Sequence, residues 1–152
     1  MGAVFDHVAH AAPRITDLLP LYRDVLGGTF LGGEADSEHG YRFVQLRLGE
    51  GTKIELLEPL ENSTFLDIFL QRHPAGGLHH VTFRVPDLDR AITAAAAFGY
   101  QVFGVDRRRP DWKEAFLHPR VAHGALLQLA EAPPGDTWIA PGQTLDDILA
   151  AG

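Results

Sequence analysis

The most restrictive feature of this sequence is that it nearly repeats itself: "VFDHVAHAAPRITD" at residues 4–17 is echoed by "GLHHVTFRVPDLD" at 77–89. At an offset of 73 positions His7-Val8 falls on His80-Val81, Pro13 on Pro86, Phe43 on Phe116 and Gly51 on Gly124. The same offset carries Ile54, Glu55, Leu56 and Glu58 onto Leu127, Gln128, Leu129 and Glu131, and a small gap between the helices brings Gly28 opposite Gly99. Strand starts, prolines and strand ends agreeing in one register indicate a duplicated supersecondary unit. The repeat also resolves the doublet His79-His80: His80 is the duplicated residue, and His79 lies opposite Asp6.

Each copy reads as strand, helix, then several strands. In the first, residues 4–12 form a strand and a helix follows from about Asp17, with Leu18, Leu21, Tyr22, Val25 and Leu26 on one face. Pro20 fits only its first turn, where an amide hydrogen has no helical partner. Gly27-Gly28 ends it, and "GYRFVQLRL" and "TKIELLE" make a hairpin across "GEG". The second copy repeats this with "HHVTFRV", a helix from Leu88 to Phe98, "YQVFGV", "KEAFLHP" and "GALLQLAE". Two more helices are expected: "STFLDIFLQRH", capped by Asn62 or Ser63, and "TLDDILA", capped by Thr144. The expected class is therefore α+β, with residues 1–132 as one domain of two tandem βαβββ modules, about 1–72 and 73–132. Residues 133–152 form a linker and a short C-terminal helix lying over the domain or a partner.

Composition narrows the chemistry. With 152 residues, 45% of them hydrophobic, the chain suits one compact domain or two small modules sharing a core. It has no cysteine, which excludes disulfides, thiolate zinc sites and cysteine nucleophiles and leaves His, Asp, Glu and Gln as ligands. The net charge of -7 argues against nucleic acid, whose binding rests on neutralising phosphates. No apolar run is long enough to cross a membrane, and "MGAVFDHVAH" has no signal-peptide character, so a cytoplasmic protein is expected. The segment "DRRRPDWK" gathers Arg107, Arg108, Arg109 and Lys113; it reads as a solvated loop or as a holder for an anion such as a nucleotide phosphate.

Strand parity assigns the side chains that matter. In "HHVTFRV" the apolar Val81, Phe83 and Val85 pack on the helix, so His80, Thr82 and Arg84 point the other way, and His7 does the same by the repeat. Glu55, between Ile54 and Leu56, and Gln128, between Leu127 and Leu129, likewise face away from their apolar neighbours. If both sheets curve toward one axis, His7, Glu55, His80 and Gln128 converge as a mixed nitrogen and oxygen set suited to divalent Co, Ni, Mn or Zn. Such a set leaves two positions of a six-coordinate ion for water or substrate oxygens. The remaining histidines His10, His39, His73 and His123 have no repeat partner of ligand type and read as structural.

These residues carry a resemblance. The doubled module with "DHVAHA", "KIELLEPL", "STFLDIFLQRH", "GGLHHVTFRVPDLD" and "AFLHP" before "GALLQLAE" resembles the vicinal oxygen chelate (glyoxalase/bleomycin resistance/dioxygenase) superfamily, and within it the methylmalonyl-CoA epimerases. The likeness covers most of residues 5–131 and not the tail after Ala132. It implies a curved, barrel-like mixed sheet around one metal, a homodimer, and proton abstraction beside the carbonyl of an acyl-CoA thioester; in this chain Glu55, the one carboxylate among the expected ligands, is the candidate base. Phe43, Gln45, Phe116 and His118 then line the substrate cavity, and the arginine-rich segment is available to CoA phosphates. The chain departs from the pattern in two ways. The epimerases place Gln at the position of Glu55 and Glu at that of Gln128, and Phe43 stands where some carry another inward glutamate. With one carboxylate left among the ligands, a second acid or base is needed, for which His118 or a metal-bound water is available. The alternatives are a glyoxalase-like lyase on another 2-oxo substrate and a metal-free protein that binds a small molecule such as an antibiotic. The only tryptophans, Trp112 and Trp138, fall outside the expected strands, which counts against the binder. An extradiol dioxygenase fits less well, because its iron site ends in Glu where this chain has Gln128.

Overall fold

The computed structural model describes every residue except Met1, Asn62, Thr64 and Thr137, so the expected cap Asn62 lies outside the described residues. In chain order the elements are β1 (Val4–Ala11), α1 (Ile15–Leu19) continuing into a π-helical turn (Pro20–Val25), β2 (Thr29–Asp36), β3 (Tyr41–Leu48), β4 (Thr52–Pro59) and α2 (Phe65–Arg72). Then come β5 (Gly77–Arg84), α3 (Leu88–Ala97), β6 (Val102–Arg109), β7 (Trp112–Leu117), β8 (Leu127–Glu131) and α4 (Leu145–Ala150). The expected α+β class holds, and so does the module: β1-α1-β2-β3-β4 and β5-α3-β6-β7-β8 are two βαβββ copies.

The chain forms two compact units, and it passes between them inside β1, inside β5 and again between Trp138 and Ile139. The first unit is Val8–His79 with Ile139–Gly152; the second is the N-terminal segment through His7 with His80–Trp138. In the first, the strand order is β2-β3-β4-β1, with β2, β3 and β4 antiparallel neighbours. In the second it is β5-β8-β7-β6, with β8 parallel to β5 and antiparallel to β7.

The first unit's core joins Ile15, Leu18 and Leu19 of the helix to Val44, Leu46, Ile54 and Leu56 of the sheet. Ile148 of α4 belongs to the same cluster, so the tail lies on this unit and completes its interior. Gly33 makes room for it: a Cβ there would meet Ile148 Cγ2 at 3.2 Å and the Phe43 carbonyl at 2.4 Å. Thr144 caps α4 as expected, in a reciprocal capping box with Asp147. The second unit's core is leaner, with Val85, Leu88, Ala91 and Ala115 buried.

One helix departs from expectation. It starts at Ile15, which puts Pro20 beyond the first turn. The chain absorbs the missing amide hydrogen by widening into the π turn, closed by Leu26 N–H to the Leu21 carbonyl at 3.0 Å. That widening rotates the face, so Leu21, Val25 and Leu26 are 47%, 74% and 52% exposed, while only Leu18 of the expected stripe is buried and Tyr22 half-buried.

The repeat is explicit in the hydrogen bonds. Ile15 N–H donates to Glu58 Oε2 at 2.6 Å, and 73 residues later Leu88 N–H donates to Glu131 Oε2 at 2.8 Å. Each module thus spends its last-strand glutamate on the first turn of its own helix, where a carboxylate meets the unpaired amides and the helix dipole. Basic partners reinforce both: Arg42 pairs with Glu58, and Lys113 with Glu131 at 2.6 Å. The backbone bond from Leu88 and then Lys113 hold the Glu131 carboxyl below its ordinary pKa.

Candidate metal and acid–base site

In the second unit, the ligand-facing side of β5, β7 and β8 gathers most of the polar residues marked by parity. Register sets Thr82 beside Gln128 and Gln128 opposite Phe116, so His80, Thr82 and Arg84 share a face with Gln128 and with Trp112, Glu114 and Phe116. His7, 1% exposed, joins them from β1. Its ring meets that of His80 edge to face, with centroids 5.7 Å apart, and a nitrogen of each lies within 4.8 Å of the other.

The orientation of His7 is fixed from behind. Its Nδ1 lies 2.6 Å from Asp6 Oδ2, and Arg84 Nε forms an ion pair with Asp6 Oδ1 at 2.8 Å. A carboxylate beside Nδ1 turns Nε2 toward the site, the orientation that metal-ligating histidines use. That Nε2 lies 3.1 Å from Thr82 Oγ1, and Gln128 Oε1 lies 2.5 Å from the same oxygen. His7 Nε2 and Gln128 Oε1 are thus gathered at one hydroxyl, a nitrogen and an oxygen of the kind a divalent cation takes. Gln128 is turned the right way for this, because its amide nitrogen is engaged elsewhere, donating to Glu114 Oε2 at 2.6 Å. Trp112 Nε1 donates to the same oxygen at 2.9 Å, its ring stacks 6.5 Å from His7, and Arg84 lies over it. The donor set therefore fits a divalent ion.

Trp112 corrects one expectation, since it begins β7 rather than lying outside the strands. The arginines are also on a strand, the end of β6, and not in a loop. Arg107 pairs with Asp89, Arg108 with Asp106 at 2.6 Å and Arg109 with Asp111 at 3.0 Å.

In the first unit Glu55 is buried on β4, opposite Gln45 of β3, whose Nε2 donates to Glu55 Oε2 at 2.8 Å. Ile54 and Leu56 on either side enter the core, which leaves Glu55 and Gln45 on the other face as parity requires. Gln45 Oε1 is buried with no hydrogen-bond partner among the described residues. Phe43 lies beside Tyr41, with centroids 6.3 Å apart, and packs on the Ala9, Ala11, Leu57 and Leu66 cluster. His79 sits between Phe65 and Phe69; burial lowers its pKa to about 4, against the pull of the Glu55 charge, and keeps it neutral.

Phe116 and His118, the remaining cavity candidates, flank Phe103 at 5.7 and 5.8 Å in the second unit. His118 is exposed, with Nδ1 accepting the Arg120 amide hydrogen at 3.1 Å in the turn after β7. Residues that sequence reasoning passed over are Asp6, Thr82 and Glu114. Thr82 was identified as facing the ligand side, and Asp6 as the position opposite His79, but no role followed from either. Glu114 carries no signal in the repeat, because the residue 73 positions earlier is Tyr41.

The chain is similar to known proteins over most of its length. The profile of the Glyoxalase/Bleomycin resistance protein/Dioxygenase superfamily matches residues 6–116. The mitochondrial methylmalonyl-CoA epimerase of Dictyostelium discoideum is 32% identical over 128 residues, 83% of this chain and 76% of that one. The ethylmalonyl-CoA/methylmalonyl-CoA epimerase of Cereibacter sphaeroides is 32% identical over 129 residues, 83% of this chain and 96% of its own. Among solved structures, methylmalonyl-CoA epimerase from Mycobacterium tuberculosis aligns with a TM-score of 0.75 at 28% identity, covering 86% of this chain and 88% of that one. A methylmalonyl-CoA epimerase in complex with methylmalonyl-CoA and NH4+ aligns at 0.74 and 26% identity, covering 86% and 94%.

Proposed function

Because the chain belongs to the glyoxalase/bleomycin resistance protein/dioxygenase superfamily, we propose that it is a metal-dependent epimerase removing the proton beside the carbonyl of an acyl-CoA thioester, with methylmalonyl-CoA as the first substrate to test. His7, Glu55, His80 and Gln128 hold a divalent ion, Co, Ni, Zn or Mn. His7 and His80, with a nitrogen of each within 4.8 Å of the other, are donors of the kind that take such an ion. The observation that carries this reading is the Asp6-held His7 with its Nε2 and Gln128 Oε1 both gathered at Thr82 Oγ1, at 3.1 and 2.5 Å.

When bound, the ion supplies positive charge where the thioester oxygen gains negative charge. The chain does the rest. Glu55 takes the C2 proton, and Gln45 Nε2, 2.8 Å away, keeps its carboxylate turned toward that task. Asp6 and Arg84 hold the His7 ring, and Thr82 holds the Gln128 oxygen. Phe43, Gln45, Phe116 and His118 line the acyl cavity. The arginines of β6 are poor holders of CoA phosphates, because each is already matched by an aspartate.

The protein works as a homodimer in the cytoplasm. Exposed Val4, Phe5, Leu78, Phe98 and Phe103 favour a partner, and among the described residues no helix is long and apolar enough to cross a membrane. Sedimentation at micromolar concentration checks the dimer. A metal-free binder is the second reading, favoured by one observation, the Trp112 ring stacked near His7. The deciding experiment is elemental analysis followed by solvent exchange. About one divalent ion per chain, with deuterium entering methylmalonyl-CoA at C2, supports the epimerase. Protein that stays metal-free after incubation with cobalt, nickel, zinc and manganese overturns it in favour of the binder.

A further inference from the structure

β8 runs parallel to β5 with Ala130 beside Arg84, so the chain leaving β8 passes the last side chain of β5. There residues 133–136 close on the Arg84 guanidinium. Nη1 donates to the Pro133 carbonyl at 3.3 Å and to the Gly135 carbonyl at 3.2 Å, and Nη2 lies 3.7 Å from Asp136 Oδ1. Both carbonyls reach one nitrogen because the chain bends at Pro134-Gly135, where Gly135 holds φ at +83°. A guanidinium can only donate, so a side chain that is 17% exposed depends on oxygens supplied by its neighbours. This segment supplies them.

The same guanidinium also serves the metal site. Its Nε forms the ion pair with Asp6 Oδ1, and Asp6 Oδ2 lies against His7 Nδ1. Its Cζ stands 5.8 Å from the centre of the Trp112 ring, which stacks on His7. Arg84 therefore meets two groups that flank the His7 imidazole, and every residue in this succession of contacts belongs to the second unit. Resting on the reading of His7 as a metal ligand, we propose that residues 133–136 are a strap that positions that ligand: they seat Arg84, and Arg84 seats Asp6 and Trp112 around the ring. Arg84 and Gly135 are positioning residues, acting on the ion only through His7. The strap lies after Ala132, in the part of the chain that the family resemblance does not cover.

The test is a double-variant cycle: metal-stripped protein is titrated with cobalt alone, and the NMR signals of the His7 ring are followed without metal. Gly135→Val closes the left-handed conformation to residue 135, yet nothing lies within 4 Å of a Cβ there, so the change acts through the backbone and not by a clash. It is expected to weaken cobalt binding about 10-fold, to shift the visible bands of the bound ion and to move the His7 ring signals. Gly135→Asn, which accepts that conformation, is expected to stay within about twofold of wild type. Arg84→Lys keeps the charge without the planar fork and is expected to weaken binding by a similar factor, and adding Gly135→Val to it to cost less than about twofold more. Folded Gly135→Val protein with cobalt affinity and ring signals unchanged overturns the proposal, and so do losses that multiply in full in the double variant. If Gly135→Val does not fold, Gly135→Ala takes its place under the same criteria. Wild-type protein that takes up no cobalt rejects the metal reading by itself. The ring signals then decide the strap: it stands if Gly135→Val moves them and Gly135→Asn does not, and falls otherwise.

Discussion

Replacing Asp6 with Asn tests whether the ring of His7 is oriented for an ion. The carboxylate has two partners on opposite oxygens, His7 Nδ1 at 2.6 Å and Arg84 Nε at 2.8 Å, with Asp6 and His7 both almost fully buried. An amide can still offer its oxygen to His7, but it must then turn its own NH2 toward Arg84, donor against donor. Losing a buried charged partner of this kind costs about 1.5–3 kcal/mol of stability. Loosening a ligand from its orienting carboxylate costs about 10- to 100-fold in metal affinity, or roughly 1.4–2.7 kcal/mol. Calorimetric titration of metal-stripped protein with cobalt measures the second quantity, and urea unfolding of the same preparation measures the first. Asp6→Asn protein that is destabilised yet binds cobalt within about twofold of wild type would refute the positioning argument and leave Asp6 as a fold residue only.

Gln128→Glu sets a second carboxylate against Glu114 at the present 2.6 Å contact, so the metal-stripped variant is expected to unfold at lower urea than wild type and to recover when metal is added; parallel unfolding curves with and without metal check this. Ile148→Ala is expected to cost about 2–4 kcal/mol by urea unfolding, because Ile148 is 3% exposed in the first unit's core; a cost below about 0.5 kcal/mol would mean that the tail merely rests on the surface. Burial lowers the pKa of His10 below 6.5, so its neutral form suits the fold. Its contribution is complete above about 6.5 and declines as pH falls from there through the folded pKa, and an NMR titration of the His10 ring with a midpoint at or above 6.5 would contradict this.

The residues that were legible in the sequence are those whose environment is periodic or duplicated. Glu55 and Gln128 each stand between two apolar neighbours, which fixed their face, and Glu58 and Glu131 coincide in the repeat, although their bonds to the two helix starts appear only in the structure. Thr144 was legible for a local reason, its capping box with Asp147. What escaped depends on tertiary context or on broken periodicity. Strand β2 carries Gly32-Gly33 and a register shift after Phe30, which erase its alternation. The face of the helix beyond Pro20 turned because the backbone widened, a response that spacing alone does not encode. Glu114 stayed hidden because the duplication that exposed the other candidates has a tyrosine at its counterpart. Its place beside Gln128 became visible only through the hydrogen bond between them.

The imidazoles of buried His7 and half-buried His80, with Glu55 and Gln128, are proposed to hold one divalent ion. Cobalt titration of metal-stripped wild type beside His7→Ala and His80→Ala, followed by the visible spectrum of the bound ion, addresses it most directly. The account predicts one ion per chain in the wild type, with bands of a mixed nitrogen and oxygen site, and at least 100-fold weaker binding in either variant. Wild-type protein that takes up no cobalt, or variants that bind it with unchanged affinity and spectrum, would contradict it.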